Sequence, residues 1–254
     1  MEIANLPQVK LHYLRRGVGT PLVLLHGFPL DNGIWAPVMP LLVNEFELIL
    51  PDLRGLGGSI SNTAEYSLSD MADDVFQLLD YLGIEKAVIA GHSMGGYIAL
   101  ACAKSHPDRL LGLGLIATQL LPDTPDRKNS RYQTIAQVEE FGLEPLIETM
   151  AEKLTSNASL REELSELMRR QPKAGVLGAI KAIAERHDQT STLILLQKPV
   201  VIVHGDADLL IPVDRAMEMK DLKPDSVLVV IPKAGHMPMM ENPVETAAAL
   251  QGFN

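Results

Sequence analysis

Short apolar runs alternate with amphipathic segments along the chain. Most of the apolar runs are rich in Val, Ile and Leu and are bounded by Gly or Pro, which predicts strands that are buried on both faces. One run, at 9–16, alternates between apolar and polar positions and predicts an exposed strand. Apolar strands that are separated by helices indicate an α/β fold, with a mostly parallel central sheet flanked by helices. The predicted strands cover residues 9–16, 21–27, 46–52, 86–91, 109–117, 198–205 and 226–232.

Helical segments lie between the predicted strands, and the region 118–192 departs from the alternation of strands and helices. Residues 68–83 have helical periodicity, with Ser67 or Ser69 as a candidate N-cap and Gly83 as a stop. Residues 118–192 show helical patterns and no convincing strand, so we predict a helical cap inserted after the sixth strand. Because ligands bind at the carboxyl ends of parallel strands, we expect this cap to lie over a pocket. The predicted domains are an α/β core at 1–117 and 193–254 and a helical cap at 118–192.

The composition argues against several classes of partner and against a disulfide-bonded protein. The chain has 254 residues, of which 46% are hydrophobic and 21% charged, as in an ordinary globular protein. A net charge of −10 without a basic run argues against nucleic acid and membranes as partners. The single cysteine, Cys102, excludes a disulfide within the chain and fits a reducing compartment. We therefore expect a cytoplasmic protein that acts on a small molecule, as a monomer or a homodimer.

The stretch VIAGHSMGGYIALACA, residues 88–103, carries a candidate nucleophile. Here a G-x-S-x-G motif follows a predicted strand and precedes a predicted helix. In this context the motif indicates a nucleophilic serine. The turn strains its central residue, so the positions two residues away must lack side chains. Gly91 and Gly95 meet that need. We predict that Ser93 is a nucleophile rather than a polar residue in an ordinary turn.

A serine hydroxyl is a weak nucleophile and needs a base, for which the chain offers seven histidines. In this arrangement the acid and then the histidine follow the serine along the chain. His236 lies in a loop just beyond the last predicted strand, where an imidazole can reach Ser93. The other histidines precede the serine or lie in unsuitable segments: His12, His26, His92, His106, His187 and His204.

The stretch VHGDADLLIP, residues 203–212, offers two candidates for the acid that orients the base. Asp206 closely follows a glycine and could instead cap the turn. Asp208 lies further out, before an apolar run that could shield it from water, and is favoured. Asp123 is a weaker rival near the end of the preceding strand.

Two backbone amides are candidate donors to an oxyanion. Met94 directly follows the nucleophile, and Phe28 follows Gly27 in the loop after the strand at 21–27. His26 either holds this loop or is a plain core histidine. No arginine is placed by sequence logic to bind a substrate carboxylate. Candidate substrate-pocket residues are Trp35, Leu120, Leu121, Leu209, Leu210 and Met237.

The segments HGFPLDNGIW, PDLRGLGGS, GHSMGG, GDADLLIP and AGHMPMMENP resemble, in order and spacing, the α/β-hydrolase superfamily over nearly the whole chain. The resemblance implies an α/β-hydrolase fold with a cap and a Ser93–Asp208–His236 triad, since the family's G-x-x-D turn falls on Gly205 and Asp208. It implies no cofactor and no metal. The chain looks like small bacterial esterases, enol-lactonases and cofactor-free haloperoxidases, whereas haloalkane dehalogenases and epoxide hydrolases carry Asp as nucleophile.

The expected function is a carboxylesterase, a serine hydrolase that cleaves small, fairly apolar carboxylic esters through an acyl-enzyme. Three other enzyme classes can use the same triad and are alternative hypotheses: an enol-lactonase, a C–C bond hydrolase and a perhydrolase or haloperoxidase. Outside enzymes, the alternative is a ligand sensor that keeps the hydrolase fold.

Overall fold

A nine-stranded sheet forms the centre of the computed structural model, which describes residues 1–254. Its spatial order is β1-β2-β4-β3-β6-β7-β8-β9, and β5 pairs with β2. The pairs from β4 to β9 along this order are parallel, and the pairs that involve β2 are antiparallel. The predicted mostly parallel sheet is therefore confirmed. The strands are β1 (Glu2–Asn5), β2 (Val9–Arg16), β3 (Thr20–Leu25), β4 (Phe46–Pro51), β5 (Ile60–Ser61), β6 (Ala87–His92), β7 (Leu110–Ile116), β8 (Val200–Gly205) and β9 (Val227–Ile231).

Helices flank the sheet and also fill the long connection between β7 and β8. Those of the flanking layers are α1 (Met39–Leu42), α2 (Leu68–Tyr81), α3 (Met94–Ser105), α9 (Asp214–Leu222), α10 (Pro238–Glu241) and α11 (Pro243–Gln251). Those of the connection are α4 (Pro125–Phe141), α5 (Glu144–Leu154), α6 (Ala158–Arg169), α7 (Lys173–Ala184) and α8 (Thr190–Leu195). Short 3₁₀ turns lie at Asn32–Trp35 and Pro107–Arg109. No helix combines the length and the apolar character that a membrane crossing requires.

Two hydrophobic cores lie on opposite faces of the sheet. Successive side chains of a strand point to opposite faces, so Val23 and Leu25 enter one core while Leu22 and Leu24 enter the other. Strands that are buried on both faces are apolar at nearly every position, and β6, whose one polar side chain is His92, is buried along its whole length. The continuous apolar runs in the sequence follow directly from this two-sided burial.

The helical connection begins and ends slightly differently from the sequence expectation. It follows the seventh strand in chain order and not the sixth: five of the predicted strands precede it, and the short strands β1 and β5 add two. At its other end, α8 runs through the expected boundary at residue 192 and contacts α3 and α9 of the core. The edge strands β1 and β5 were not expected from the pattern, since both are short and mostly exposed.

Helix α2 begins and ends where its sequence predicts. Ser67 is the N-cap, and its side chain and that of Asp70 bond each other's backbone in a capping box. Beyond the last turn, Gly83 has a φ of +72°, the left-handed conformation that commonly ends a helix. Of the two candidate caps, Ser67 is therefore the one used.

A buried ion pair joins α2 to the loop after β4. Arg54 donates from Nε and Nη2 to the two carboxylate oxygens of Asp74, at 2.7 and 2.6 Å. The two side chains are only 2% and 4% exposed. Removing one partner would leave a buried charge without compensation, which costs far more than losing a surface pair.

We expect Asp74→Ala to lower the free energy of unfolding by about 3–5 kcal/mol, because Arg54 would remain buried without a counter-charge. The matched control is Asp80→Ala on the same helix, whose partner Arg109 lies at the surface; its cost should stay within about 1 kcal/mol. Urea unfolding followed by circular dichroism measures both. Equal losses in the two variants would contradict the role of burial.

Candidate active site

Ser93 lies at the tight turn between β6 and α3. Its φ of 52° and ψ of −111° are unusual for a residue with a side chain. A Cβ at Gly91 would collide with the carbonyl group of Gly95, so the turn requires glycine there. The amide of Ser93 donates to the carbonyl of Ile116 at 2.9 Å, and the Thr118 hydroxyl donates to the carbonyl of Ser93 at 2.9 Å. These bonds fix the half-buried serine at the carboxyl edge of the sheet.

His236 and Asp208 form a buried pair near this turn. Nδ1 of His236 lies 2.7 Å from Oδ2 of Asp208, whose Oδ1 accepts from the amides of Leu210 and Ile211 at 2.8 and 3.0 Å. Burial alone would raise the pKa of Asp208, but the attraction between its charge and a protonated His236, together with the hydrogen bonds donated to it, holds the pKa well below its usual range. Because an ionised carboxylate only accepts, Nδ1 of His236 carries the proton, and Nε2 is left as the basic atom.

The rival carboxylates have other partners. Asp206 is exposed, and its Oδ1 accepts from the amide of Lys233 at 2.6 Å, so it caps a turn. The side chain of Asp123 is buried and accepts hydrogen bonds from Arg131 and Arg186. Of the three candidate acids, only Asp208 contacts a histidine.

The loop that carries His236 is held by the cap and by a second histidine. The amide of His236 donates to the carbonyl of Leu154, the last residue of α5, at 3.0 Å. The Glu241 carboxylate accepts from the amide of Gly235 and from the hydroxyl of Thr155. The carbonyl of His236 accepts from Nε2 of His92 at 2.8 Å. Burial lowers the pKa of His92, so this neighbour is a neutral donor.

The loop after β3 approaches Ser93 closely. A Cβ at Gly27 would stand 3.2 Å from Cβ of Ser93, which is tight contact. Nε2 of His26 accepts from the amide of Leu53 at 2.8 Å, so Nδ1 carries the proton and donates to the carbonyl of Gly27 at 2.9 Å. His26 therefore holds this loop. The next residue, Phe28, borders the same cavity as Ser93.

One cavity of about 450 Å³, its open mouth included, brings these groups together. It lies between the carboxyl edge of the sheet and the helices α4, α5 and α7. Its polar lining is Ser93, Tyr97, Arg127, Arg131 and His236. Its apolar lining is Phe28, Met94, Met150, Ile183, Leu210 and Ile211. The cavity thus holds the candidate nucleophile, the candidate base and both residues whose amides are candidate oxyanion donors.

Most of the expected substrate-pocket residues lie elsewhere. Only Leu210 lines the cavity. Trp35 and Met237 are fully buried in the core, Leu209 is 72% exposed at the tip of its loop, and Leu121 is 38% exposed. Leu120 lines a neighbouring cavity, and Tyr97 borders both this cavity and the one beside Ser93. A residue close in sequence to a candidate catalytic residue need not face the cavity, because packing determines where its side chain points.

Two arginines line the cavity, against the sequence expectation that none would be placed to meet a substrate carboxylate. Arg127 and Arg131 extend from the start of α4, and Asp123 lies four residues before Arg127. Burial alone would raise the pKa of Asp123, but the hydrogen bonds from Arg131 and Arg186 outweigh it and lower the pKa. The available sequence signal was the repeated spacing of four residues, from Asp123 to Arg127 and from Arg127 to Arg131.

Comparison with known proteins agrees with the fold. Residues 20–243 match the family model described as alpha/beta hydrolase fold. The chain is 33% identical to a thermophilic esterase from Thermogutta terrifontis, solved with malate bound, with a TM-score of 0.95 over 100% of this chain and 98% of that one.

Curated relatives carry different activities in their names. The chain is 30% identical to a pimeloyl-[acyl-carrier protein] methyl ester esterase from Edwardsiella ictaluri, over 91% of this chain and 92% of that protein. It is 34% identical to the dihydrolipoyllysine-residue acetyltransferase component of the acetoin cleaving system from Pseudomonas putida, over 88% of this chain. The match spans only 60% of that longer protein.

We expect Asp123→Asn to lower the free energy of unfolding by roughly 2 kcal/mol or more at neutral pH, because a buried charge partner is lost. The folded-state pKa of Asp123 is depressed. Its contribution is therefore present above the unfolded-state value of about 3.9 and is lost as the pH falls through the folded-state value.

Urea unfolding at several pH values checks this expectation. The difference between wild type and variant should be constant above about pH 5 and should shrink below about pH 4. The control is Asp126→Asn on the exposed first turn of α4, with an effect of about 1 kcal/mol or less. A difference that grew on acidification would contradict the assigned ionisation.

Proposed function

The chain belongs to the alpha/beta hydrolase fold family, and we propose that it is a carboxylesterase, a serine hydrolase that cleaves small carboxylic esters without a cofactor. The observation that carries the proposal is the shared cavity. Ser93 on its strained turn and His236, bonded to Asp208 at 2.7 Å, face one space that suits a small ester. The likeness to an esterase over nearly the whole chain supports the same reaction class.

In the proposed first half-reaction, Oγ of Ser93 attacks the ester carbonyl carbon while Nε2 of His236 takes its proton. Asp208 stabilises the imidazolium that forms. The amides of Phe28 and Met94 donate to the oxyanion of the tetrahedral intermediate; the Met94 amide belongs to the first turn of α3, where backbone amides have no intrahelical acceptor. Collapse of the intermediate breaks the bond to the alcohol, which leaves with the proton from His236.

In the second half-reaction a water molecule attacks the acyl-enzyme. Nε2 of His236 takes a proton from this water, and a second tetrahedral oxyanion forms at the same two amides. When it collapses, Ser93 regains its proton from His236 and the carboxylic acid is released. The catalytic groups return to their starting protonation states.

The structure has no hydrogen bond between Oγ of Ser93 and Nε2 of His236, although both border the cavity. Catalytic hydrogen bonds are often long or poorly aligned without substrate and tighten in the reacting complex. The proposal therefore rests on the shared cavity and on the free Nε2 of His236 rather than on a formed triad bond.

The same groups would also serve the lactonase, C–C bond hydrolase and perhydrolase alternatives, and a substrate panel separates them. Short p-nitrophenyl esters, simple lactones and dienoic ketones are compared at equal enzyme concentration. Turnover highest on esters supports the carboxylesterase. Binding without turnover, and without labelling by a fluorophosphonate, supports the ligand sensor and contradicts the proposal.

We expect Ser93→Ala to lower kcat for p-nitrophenyl butyrate by roughly 10⁴- to 10⁶-fold and to abolish labelling by a fluorophosphonate, because the attacking oxygen is gone. The control is Ser105→Ala at the end of the same helix, whose hydroxyl bonds only the carbonyl of Cys102 and the ring of His106. That variant should be labelled and active like the wild type. Activity that survived in Ser93→Ala would refute the mechanism.

We expect Asp208→Asn to lower kcat by about 10⁴-fold, because an amide no longer fixes the tautomer of His236 or stabilises its charged form. Asp206→Asn is the matched control two residues away and should change kcat only severalfold, since Asp206 bonds the amide of Lys233. Steady-state kinetics from pH 5 to pH 9 compares them. A larger loss in Asp206→Asn would reverse the assignment of the acid.

A further inference from the structure

The cavity beside Ser93 has a marked charge asymmetry. Its lining includes the guanidinium groups of Arg127 and Arg131 and no acidic side chain. The lining also includes His236, whose partner Asp208 does not border the cavity. A ligand in this cavity therefore meets positive charge among apolar side chains.

Both arginines are positioned by contacts that leave part of each guanidinium free. Nε and Nη2 of Arg131 bond to Asp123, while Nε of Arg127 lies 3.5 Å from the same carboxylate. Nη2 of Arg127 donates to the carbonyl of Leu210, beside the Asp208 loop, at 3.3 Å. Nη1 of each arginine is in none of these bonds. The two groups are thus oriented but have donors to spare.

The one carboxylate in the cluster cannot balance the charge around it. Asp123 also accepts from Nη2 of Arg186 at 2.9 Å, and the side chains of Asp123 and Arg186 are 0% and 3% exposed. Three guanidinium groups therefore face one carboxylate, and the buried Arg186 alone would neutralise it. The surplus positive charge lies on the two arginines that border the cavity.

A purely structural role does not account for this surplus. A clamp between α4 and the core needs the Asp123–Arg186 pair, and Arg131 could close it further. It does not need a second arginine in the lining of the cavity. The side chains of Arg127 and Arg131 are 44% and 20% exposed, so water solvates part of each, and an opposite charge in the cavity would compensate the part that borders the apolar lining. A planar guanidinium is also the group best suited to a carboxylate.

We propose that Arg127 and Arg131 bind a carboxylate of the substrate, so that the preferred substrates are short esters that carry a negative charge. This inference rests on the proposed esterase function and specifies its substrate class. It replaces the expectation of fairly apolar esters. Because the two arginines and Ser93 line one small cavity, we expect only a few carbon atoms between the carboxylate and the scissile ester.

Matched pairs of esters that differ in one charge test the proposal. On the acyl side, monomethyl succinate is compared with methyl levulinate, which has a methyl ketone in place of the carboxylate. On the alcohol side, acetoxyacetate is compared with acetoxyacetone. The readout is the ratio of kcat/KM for the charged ester to that for its neutral partner. We expect this ratio to exceed 1 in at least one pair, and that pair identifies the side that carries the charge.

Arg131→Gln and Arg127→Gln should each lower that ratio by roughly tenfold or more, because hydrogen bonds to a charged group are lost. The control is Lys128→Gln, which removes the same charge from the same helix; Lys128 bonds Glu185 and does not line the cavity. Its ratio should stay within about twofold of the wild type. The neutral ester in each pair shows whether a variant is folded and active.

The two proposals fail in distinguishable ways. Hydrolysis of the neutral esters with no preference for either charged ester would overturn the carboxylate site and spare the esterase. An equal fall of the ratio in Lys128→Gln would also overturn it, because long-range charge rather than the two arginines would then set the preference. No hydrolysis of any ester, with no fluorophosphonate labelling, would overturn the esterase itself.

Discussion

The backbone hydrogen bonds between parallel strands determine where the groups of the candidate active site meet. At the carboxyl edge, Leu25 of β3 pairs with Gly91 of β6, and Gly91 pairs with Leu115 of β7. Each loop beyond this edge begins at a level that the ladder fixes. A slip of one residue would move a loop by about 3.3 Å, more than a hydrogen bond tolerates. The strand register therefore determines the positions of four loops of the site. These loops carry Phe28, Ser93, Asp208 and His236.

The candidate triad residues could be picked out from the sequence because their signals are local. The glycines around Ser93 mark a turn that a short stretch of sequence specifies completely. Order along the chain then selects His236, and the apolar residues after Asp208 distinguish it from Asp206. In the structure that difference appears as burial and as two amides that point at the Asp208 carboxylate.

The cavity wall could not be predicted in the same way. Trp35 and Met237 are close to the site in sequence and apolar, but both face the core. Arg127 and Arg131 were not identified, because an acid and a base four residues apart usually indicate an exposed helix face. Only the packing of α4 over the sheet edge makes them part of a cavity. Substrate preference depends on such contacts between distant segments, and a pattern within one segment does not contain them.

The bond between the His236 amide and the Leu154 carbonyl couples the cap to the base. Because Glu241 also bridges Thr155 and Gly235, the end of α5 and the histidine loop behave as one mechanical unit. Lifting α5 would break these contacts and release the imidazole from its place. At this end, an open cap and a correctly placed base exclude each other.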